Sequence, residues 1–198
     1  MPRTSQQFEE IRNEKRNVII QTALELFANN GYASTSISQI AKKANISKGL
    51  MYNYFDSKEE LLKTIVENLT DEIMEYLDSN HDNKTSEEEA MQFIDKYFEY
   101  MITKTEELKF FIQLAIQPEV IKHFSTNSSR YDKIHYKELL ILFLKEQHPE
   151  NSELLLLNFF SILKGLALQY TFSPQNYPHN LMMKYKEYIK KMFIKNKE

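Results

Sequence analysis

The stretch from Asn45 to Phe55, NISKGLMYNYF, places several hydrogen-bonding side chains on the outer face of one short helix. A lysine supplies positive charge for phosphate and can reach the acceptors of guanine, while an asparagine amide matches the N6 and N7 edge of adenine. Tyrosine hydroxyls can donate to phosphate, and a glycine lets the start of a helix approach a backbone closely. These residue types predict a surface that binds duplex nucleic acid, formed by Lys48, Gly49, Tyr52 and Asn53, with Tyr54 at its edge.

The charge around this stretch differs from that of the whole chain. The 198 residues carry 25 Lys and Arg against 28 Asp and Glu, a net charge of −3, so nucleic-acid binding must come from a local surface. Residues 31–55 contain Lys42, Lys43 and Lys48 and no acidic residue. This favours nucleic-acid binding over the alternative, in which the tyrosines are half-buried packing residues of a helical hairpin.

Two short helices joined by a tight turn must position this surface. Ala41 is small enough for the second helix to cross close beside the first, and Met51 and Phe55 lie four apart, facing inward. Such a pair of helices is a helix-turn-helix. Its predicted parts are a helix capped by Thr35 or Ser36, a turn at Asn45-Ile46, and a helix capped by Ser47 that runs from Lys48 to about Phe55.

The rest of the chain also has the pattern of helices. Apolar residues recur at three- and four-residue spacing, sustained alternation is missing, and there are only 3 Gly and 5 Pro. The sequence therefore predicts an all-α protein with a helix-turn-helix domain at residues 1–56 and a larger helical domain at residues 57–198. The other helices are expected at about 12–30, 57–79, 87–104, 106–116, 118–125, 130–147, 152–172 and 179–194.

The segment from Gly31 to Leu62, GYASTSISQIAKKANISKGLMYNYFDSKEELL, resembles the DNA-binding region of the tetracycline-repressor (TetR) family of bacterial transcription regulators. There are two departures from the family pattern. Asn45 replaces a usual glycine in the turn, where asparagine tolerates the left-handed conformation. Leu50 replaces a common threonine, which removes one hydroxyl contact. The matching features are Gly31-Tyr32, Thr35, Ile40-Ala41, Ser47-Lys48-Gly49, Met51-Tyr52-Asn53-Tyr54-Phe55 and Ser57-Lys58-Glu59-Glu60-Leu61.

The resemblance implies DNA contacts beyond the recognition helix, the second helix of the helix-turn-helix, predicted from Lys48 to about Phe55. We place no arginine on this surface, so strong bidentate reading of guanine is not expected. The implied phosphate contacts are Thr35, Ser36, Ser47, Tyr52 and Lys58, and the residues implied to lie near bases or groove walls are Ser38, Lys48, Asn53 and Tyr54. The resemblance also implies a divergent C-terminal domain that dimerises and binds a small ligand, in a regulator that is usually a repressor of a double-stranded DNA operator.

The segment Ser152–Phe172 is apolar nearly all round, so the helix must be buried on all its faces. Packing against its own domain on one side and a partner subunit on the other achieves this in a homodimer. The expected interface residues are Leu155, Phe159, Ile162 and Leu166 of this helix, and Leu181, Tyr185, Tyr188 and Met192 of the last one.

A transmembrane helix is the alternative for the same segment, because its length approaches that of a membrane span. A lysine near the centre of a span costs about 2.5–3.5 kcal/mol, and Lys164 lies within this one. We therefore expect no membrane insertion. The N-terminus has no apolar segment typical of a secretory signal, so we expect a cytoplasmic protein.

The middle helices are rich in aromatic residues and methionine. Ordinary core packing is one interpretation, and an apolar cavity between helices is the other. A cavity would accept an apolar, aromatic or cationic inducer, whose identity the sequence does not specify. Control by a protein partner is the alternative. The candidate walls are Phe98, Met101, Phe110, Leu114, Phe124, Tyr131, His135 and Phe159.

Few features favour an enzyme, a cofactor or a metal site. The chain has no cysteine, so disulfides and thiolate metal sites are excluded. His123, Asp132 and His135 are not spaced in a way that is diagnostic of metal binding, and we expect no metal. A glycine-rich phosphate loop, a nucleophile elbow and a convincing acid pair are also missing from the sequence. A helical enzyme with a coincidental motif is the remaining alternative.

Overall fold

The computed structural model describes residues 5–126 and 130–194, and every regular element within these ranges is helical. This confirms the predicted all-α class. Short 3₁₀ helices at Glu75–Asp78 and Pro174–Asn176 accompany the α-helices. The α-helices are α1 (Ser5–Asn30), α2 (Ile37–Lys43), α3 (Lys48–Met51), α4 (Lys58–Met74), α5 (Glu87–Thr103), α6 (Thr105–Ala115), α7 (Pro118–Thr126), α8 (Arg130–Gln147), α9 (Ser152–Phe172) and α10 (His179–Phe193).

The chain divides into two compact units that are not continuous in sequence. The first unit combines Met1–Leu69 with Phe110–Thr126, and the second combines Thr70–Lys109 with Asn127–Glu198. The helix-turn-helix therefore shares its unit with most of α6 and with α7. The segment 110–126 is joined at both ends to residues of the second unit.

The core of the first unit forms beneath the helix-turn-helix. Phe27 of α1 is fully buried, and its ring meets the Tyr32 ring edge-on at 5.0 Å between centroids. Leu114 and Val120, from the segment 110–126, are buried in the same core. The remaining members come from α1 to α4 and include Ile19, Leu24, Ile40, Met51, Phe55, Leu61 and Ile65.

The helix-turn-helix is shaped by local hydrogen bonds that the sequence predicts. Ser36 and Gln39 form a reciprocal capping box at the start of α2, and the Ser47 hydroxyl accepts from the Leu50 N–H at 3.0 Å. Asn45 has φ +56°, the left-handed conformation expected for the turn. The α3 helix ends at Met51, earlier than predicted, because the N–H groups of Asn53 and Tyr54 donate to carbonyls three residues back.

In the second unit, the carboxylate of Glu89 organises the loop before α5. One oxygen accepts from the Ser79 N–H and hydroxyl, both at 2.9 Å, and the other accepts from the Ser86 N–H at 2.9 Å and hydroxyl at 2.8 Å. Burial alone raises the pKa of Glu89, but the hydrogen bonds from Ser86, Ser79 and Asn80 outweigh it and hold the pKa below its ordinary value.

Glu89→Gln should therefore lower the free energy of unfolding by about 1–2 kcal/mol near neutral pH, since an amide NH2 must face one of these donors. A folded-state pKa below the unfolded value stabilises the protein above the unfolded pKa, and this stabilisation is lost as pH falls through the folded pKa. The difference from wild type, measured by urea unfolding, should shrink toward acid pH. Glu88→Gln, which removes the same charge from an exposed neighbour, is the control and should change stability by less than about 0.5 kcal/mol. Equal losses in the two variants would contradict this role.

The two faces of α9 have different surroundings. Its inner face is buried in the second unit, where the Phe159 ring lies 4.7 Å from the Phe193 ring and the Leu163 carbonyl accepts from the Tyr97 hydroxyl at 2.8 Å. The opposite face is solvent-exposed and carries apolar residues, Leu154, Leu157, Leu168 and Phe172, among polar ones. By length and composition alone α9 could cross a membrane, a criterion that core helices of soluble proteins also meet.

Candidate nucleic-acid interface

An open concavity of about 370 Å³ lies on the surface of the first unit. It is bounded by the turn before α2, the start of α2, the recognition helix and the start of α4. It brings together most of the predicted DNA contacts, since its lining includes Thr35, Ser36, Ser38, Lys48, Tyr52 and Lys58.

The recognition helix presents its polar residues outward, as predicted. Lys48, Gly49 and Asn53 are exposed, and Tyr52 retains 47% of its accessible surface. Tyr54 is half-buried at the edge of the face. Because Met51 and Phe55 fill the core side, Tyr52 is not needed for packing, and the hairpin-packing alternative does not explain it. The hydrogen-bonding groups of this face are exposed, so they can contact a nucleic-acid duplex.

Thr35 differs from what the resemblance implies. The residue is buried, and its hydroxyl donates within the first unit, with acceptors at 2.8 Å on Gly31 and 3.2 Å on Leu26. A threonine at this position satisfies the carbonyls at the end of α1. Ser36 and Ser47 act as caps but remain exposed at the concavity or beside it.

Lys58 is held in place by several contacts at once. Its ammonium group donates to the Tyr32 carbonyl at 3.0 Å and the Thr35 carbonyl at 3.2 Å, and it lies 4.3 Å from the Tyr32 ring centroid. An ammonium group has three donors, so one remains for a phosphate oxygen. Burial, with the nearby charge of Glu59 and a hydrogen bond to it, raises the pKa of Tyr32, whose phenol therefore stays protonated.

One arginine of α1, Arg12, reaches this surface, which corrects the prediction that no arginine lies there. A guanidinium nitrogen of Arg12 lies 3.5 Å from the Asn53 carbonyl oxygen, and the Arg16 guanidinium lies 4.9 Å from the Phe55 ring centroid. The α1 helix begins at Ser5, earlier than predicted, so Arg12 lies well inside the helix and not at its start. Arg12 and Arg16 are four residues apart and so lie on one helix face, and this spacing could have been read from the sequence.

The predicted ligand-binding residues are divided between the two units. Phe98 and Met101 are fully buried in the second unit, where Phe159 borders a closed cavity of about 10 Å³. Phe110 and Leu114 instead pack against the core of the first unit, because the segment 110–126 belongs to that unit. The side chains of Phe124, Tyr131 and His135 lie outside the described residues.

The predicted dimer residues differ in how far they are exposed. Phe159 and Leu166 are buried within their own unit, since they lie on the inner face of α9. Leu181 and Tyr188 are exposed on α10, and the other four, Leu155, Ile162, Tyr185 and Met192, are half-buried. An open groove of about 380 Å³ runs along α9 and α10, and its lining includes Ser161, Ile162, Gly165, Leu166, Leu181 and Tyr185.

Among the side chains that the structure describes, no three His, Asp or Glu residues are grouped so as to hold a metal ion. The side chains of the histidine and aspartate residues considered above, His123, Asp132 and His135, lie outside that part.

Residues 19–65 match the sequence profile of the bacterial regulatory proteins of the tetR family. The match spans the C-terminal part of α1, the whole helix-turn-helix and the start of α4, and it includes every residue that lines the concavity. Residues 19–65 are a DNA-binding domain of the TetR family.

Curated relatives of this chain are transcriptional regulators. It is 28% identical over 151 residues to the negative transcriptional regulator IcaR of the icaADBC biofilm operon from Staphylococcus epidermidis, covering 66% of this chain and 80% of that protein. It is 57% identical over 53 residues to the regulator YuxN of Bacillus subtilis, covering 27% of this chain and 18% of that protein. The chain is a transcriptional regulator and not an enzyme.

A solved structure of the same fold extends the likeness over most of the chain. It is a transcriptional regulator of the TetR/AcrR family from Aquifex aeolicus, 25% identical, with a TM-score of 0.63 over 90% of this chain and 96% of the other. The likeness therefore includes the helical region that follows the DNA-binding helices.

Proposed function

We propose that this TetR-family regulator is a cytoplasmic homodimeric repressor that binds a palindromic operator and is released from it by a small apolar or aromatic molecule. The observation that carries the DNA-binding part is the concavity, where exposed hydrogen-bonding groups and two lysines converge over a buried core. Repression is supported by the negative regulator IcaR, to which the chain is similar along most of that protein's length.

In this proposal, the α3 face enters the major groove while the rim of the concavity contacts phosphates. Lys58, Tyr52 and Ser36 line the concavity, and their phosphate contacts would be independent of the base sequence. Asn53 and Lys48 are exposed and would contact base edges. Thr35 contributes by holding the end of α1 through its hydroxyl, and not by contacting phosphate. Arg12, beside the Asn53 carbonyl, adds a positive charge to the same face.

Selection of bound sequences from random duplexes tests the proposal directly. A two-fold protein should enrich a palindrome with half-sites separated by about 34–36 Å, one turn of DNA, or by a multiple of that distance. Quantitative footprinting at physiological salt should then protect both half-sites. Failure to enrich any sequence above the random pool would overturn specific DNA binding by this surface.

Two substitutions should separate phosphate contacts from base contacts. Lys58→Ala should weaken binding to all duplexes about equally and reduce the slope of log K against log salt by about one. Asn53→Ala should instead relax the preference at one position of each half-site, by about 1–3 kcal/mol. Fluorescence anisotropy with the selected operator and single-base variants measures both effects. If both variants bind the operator like wild type, the assigned reading surface is wrong.

The dimer interface that we propose is the exposed apolar stripe on α9 and α10. Its residues on α9 recur at helical spacing opposite the buried face, and an added Cβ at Gly165 would meet no atom within 4 Å, so a partner backbone can approach there. Two copies of α9 and α10 would form an isologous four-helix interface. The apolar stripe comprises Leu154, Leu157, Leu168 and Phe172 of α9, with Leu181 and Tyr188 of α10.

Release by a small molecule requires that the ligand bind the DNA-incompetent state more tightly, since equal affinity shifts nothing. The candidate walls that the structure describes are apolar, and one of them, Phe159, lines a cavity of the second unit with space for about one water molecule. A ligand would therefore have to open this packing. We would screen apolar and aromatic cations and neutral aromatics by thermal shift, and test each hit for operator release.

Control by a protein partner is the second candidate, and the small volume of the closed cavity favours it. Ligand control and partner control predict different outcomes of the same screen. A compound that raises the melting temperature and lowers operator affinity supports ligand control. A screen in which no compound changes operator affinity favours the partner.

A further inference from the structure

Gln117 lies at the junction of α6 and α7, where the backbone is strongly constrained. Its N–H donates to the Leu114 carbonyl at 3.1 Å, and its carbonyl accepts from the Ile121 N–H at 2.9 Å. Pro118 follows directly and restricts the conformations of the residue before it. The Gln117 side chain therefore projects from a fixed point of the segment 110–126.

The side-chain amide of Gln117 joins this segment to the end of α1. Its oxygen accepts from the Tyr32 N–H at 2.7 Å, and its nitrogen donates to the Phe27 carbonyl at 2.8 Å. These partners are 85 and 90 residues away in the sequence. Tyr32 lies just beyond α1, where its N–H has no intrahelical partner, so the amide oxygen satisfies a donor that would otherwise be unpaired. The Phe27 carbonyl also accepts from the Gly31 N–H at 3.1 Å.

The same residue, Tyr32, also holds Lys58. The Tyr32 N–H donates to the Gln117 side chain. The Tyr32 carbonyl, in the next peptide unit, accepts from the Lys58 ammonium at 3.0 Å, and the Tyr32 ring lies 4.3 Å from that ammonium. A shift of the Tyr32 backbone would therefore move a carbonyl and a ring that together position the lysine. Lys58 in turn lines the concavity proposed to receive a phosphate.

We propose that Gln117 is a positioning residue for DNA binding: through Tyr32 it holds Lys58 where the ammonium can meet a phosphate. This rests on the proposed function, because it requires that Lys58 contact DNA. It also means that the segment 110–126, whose two ends continue into the second unit, carries one of the groups that set the affinity for DNA.

Gln117→Met tests this, because methionine keeps the unbranched shape but removes all the hydrogen bonds of the amide, including one to the Gln113 carbonyl at 3.3 Å. We expect operator affinity and affinity for an unrelated duplex to fall together, by about three- to tenfold, with a smaller salt slope. The matched control is Gln113→Met, one turn earlier on α6, where the side-chain oxygen has no hydrogen-bond partner. The control should bind both duplexes like wild type.

Two further measurements separate positioning from a general loss of stability. In the Lys58→Ala background, Gln117→Met should have no additional effect on DNA affinity, because the residue it positions is absent. Amide hydrogen exchange should be faster at Tyr32 in Gln117→Met and unchanged in the recognition helix. Lower melting temperature with unchanged DNA affinity, or equal effects in both backgrounds, would overturn the positioning role. If Lys58→Ala itself leaves DNA affinity unchanged, the proposed phosphate contact fails, and the inference about Gln117 fails with it.

Discussion

Leu157→Glu will leave the chain folded but monomeric, and its operator affinity will fall by about 100-fold or more. Leu157 is 64% exposed at the apolar stripe, where a dimer would bury it against the partner. A buried unpaired carboxylate is strongly unfavourable at such an interface. Loss of the dimer removes the second half-site contact, and linked binding of two sites exceeds single-site affinity by about 10²–10⁴-fold.

Sedimentation velocity at micromolar concentration and anisotropy with full and half operators measure this result. Affinity for a half operator should change little, because the reading surface is intact. Leu142→Glu is the matched control, since Leu142 is an α8 leucine of similar exposure, 55%, that lies outside the stripe. This variant should remain a dimer with wild-type affinity. A Leu157→Glu protein that is still dimeric would place the interface elsewhere, and a wild-type monomer would refute the homodimer.

Phe27→Ala will lower the unfolding free energy of the first unit by about 3–5 kcal/mol, the usual cost of removing a buried phenylalanine. Phe27 is fully buried beneath the helix-turn-helix and contacts the Tyr32 ring, so its loss leaves a cavity under the residues that hold Lys58. Because the chain has two units, one unfolding transition is not assured. Amide hydrogen exchange of α1, measured as a function of urea concentration, gives the unfolding free energy of the first unit separately from that of the second.

Phe8→Ala is the control in the same helix, since Phe8 is 59% exposed. It should change stability by less than about 0.5 kcal/mol. We expect Phe27→Ala to lose operator binding at growth temperature, whereas Phe8→Ala retains it. If the two substitutions lower the unfolding free energy by the same amount, the core assigned to the first unit is wrong.

Much of the helix-turn-helix could be predicted because its signals are local. A serine before a helix bonds to an N–H three residues later, and an asparagine in a turn adopts φ +56°, so neighbouring residues suffice to locate caps and turn. The bounds of α8 and α9 were likewise readable from apolar spacing and the proline between them. The partners of Lys58 could not be predicted, because its donors are directed by carbonyls 23 and 26 residues away.

The sequence by itself determined the helical class, the capped helix-turn-helix and the outward face of Lys48, Tyr52 and Asn53. Only the tertiary structure decided which residues the segment 110–126 contacts, because Gln117 meets Tyr32 and Phe27 across more than eighty residues. It also decided the orientation of α9. Both faces of that helix are apolar, so periodicity could not distinguish them, and burial against α5 and α10 turns Phe159 inward and leaves Leu157 exposed.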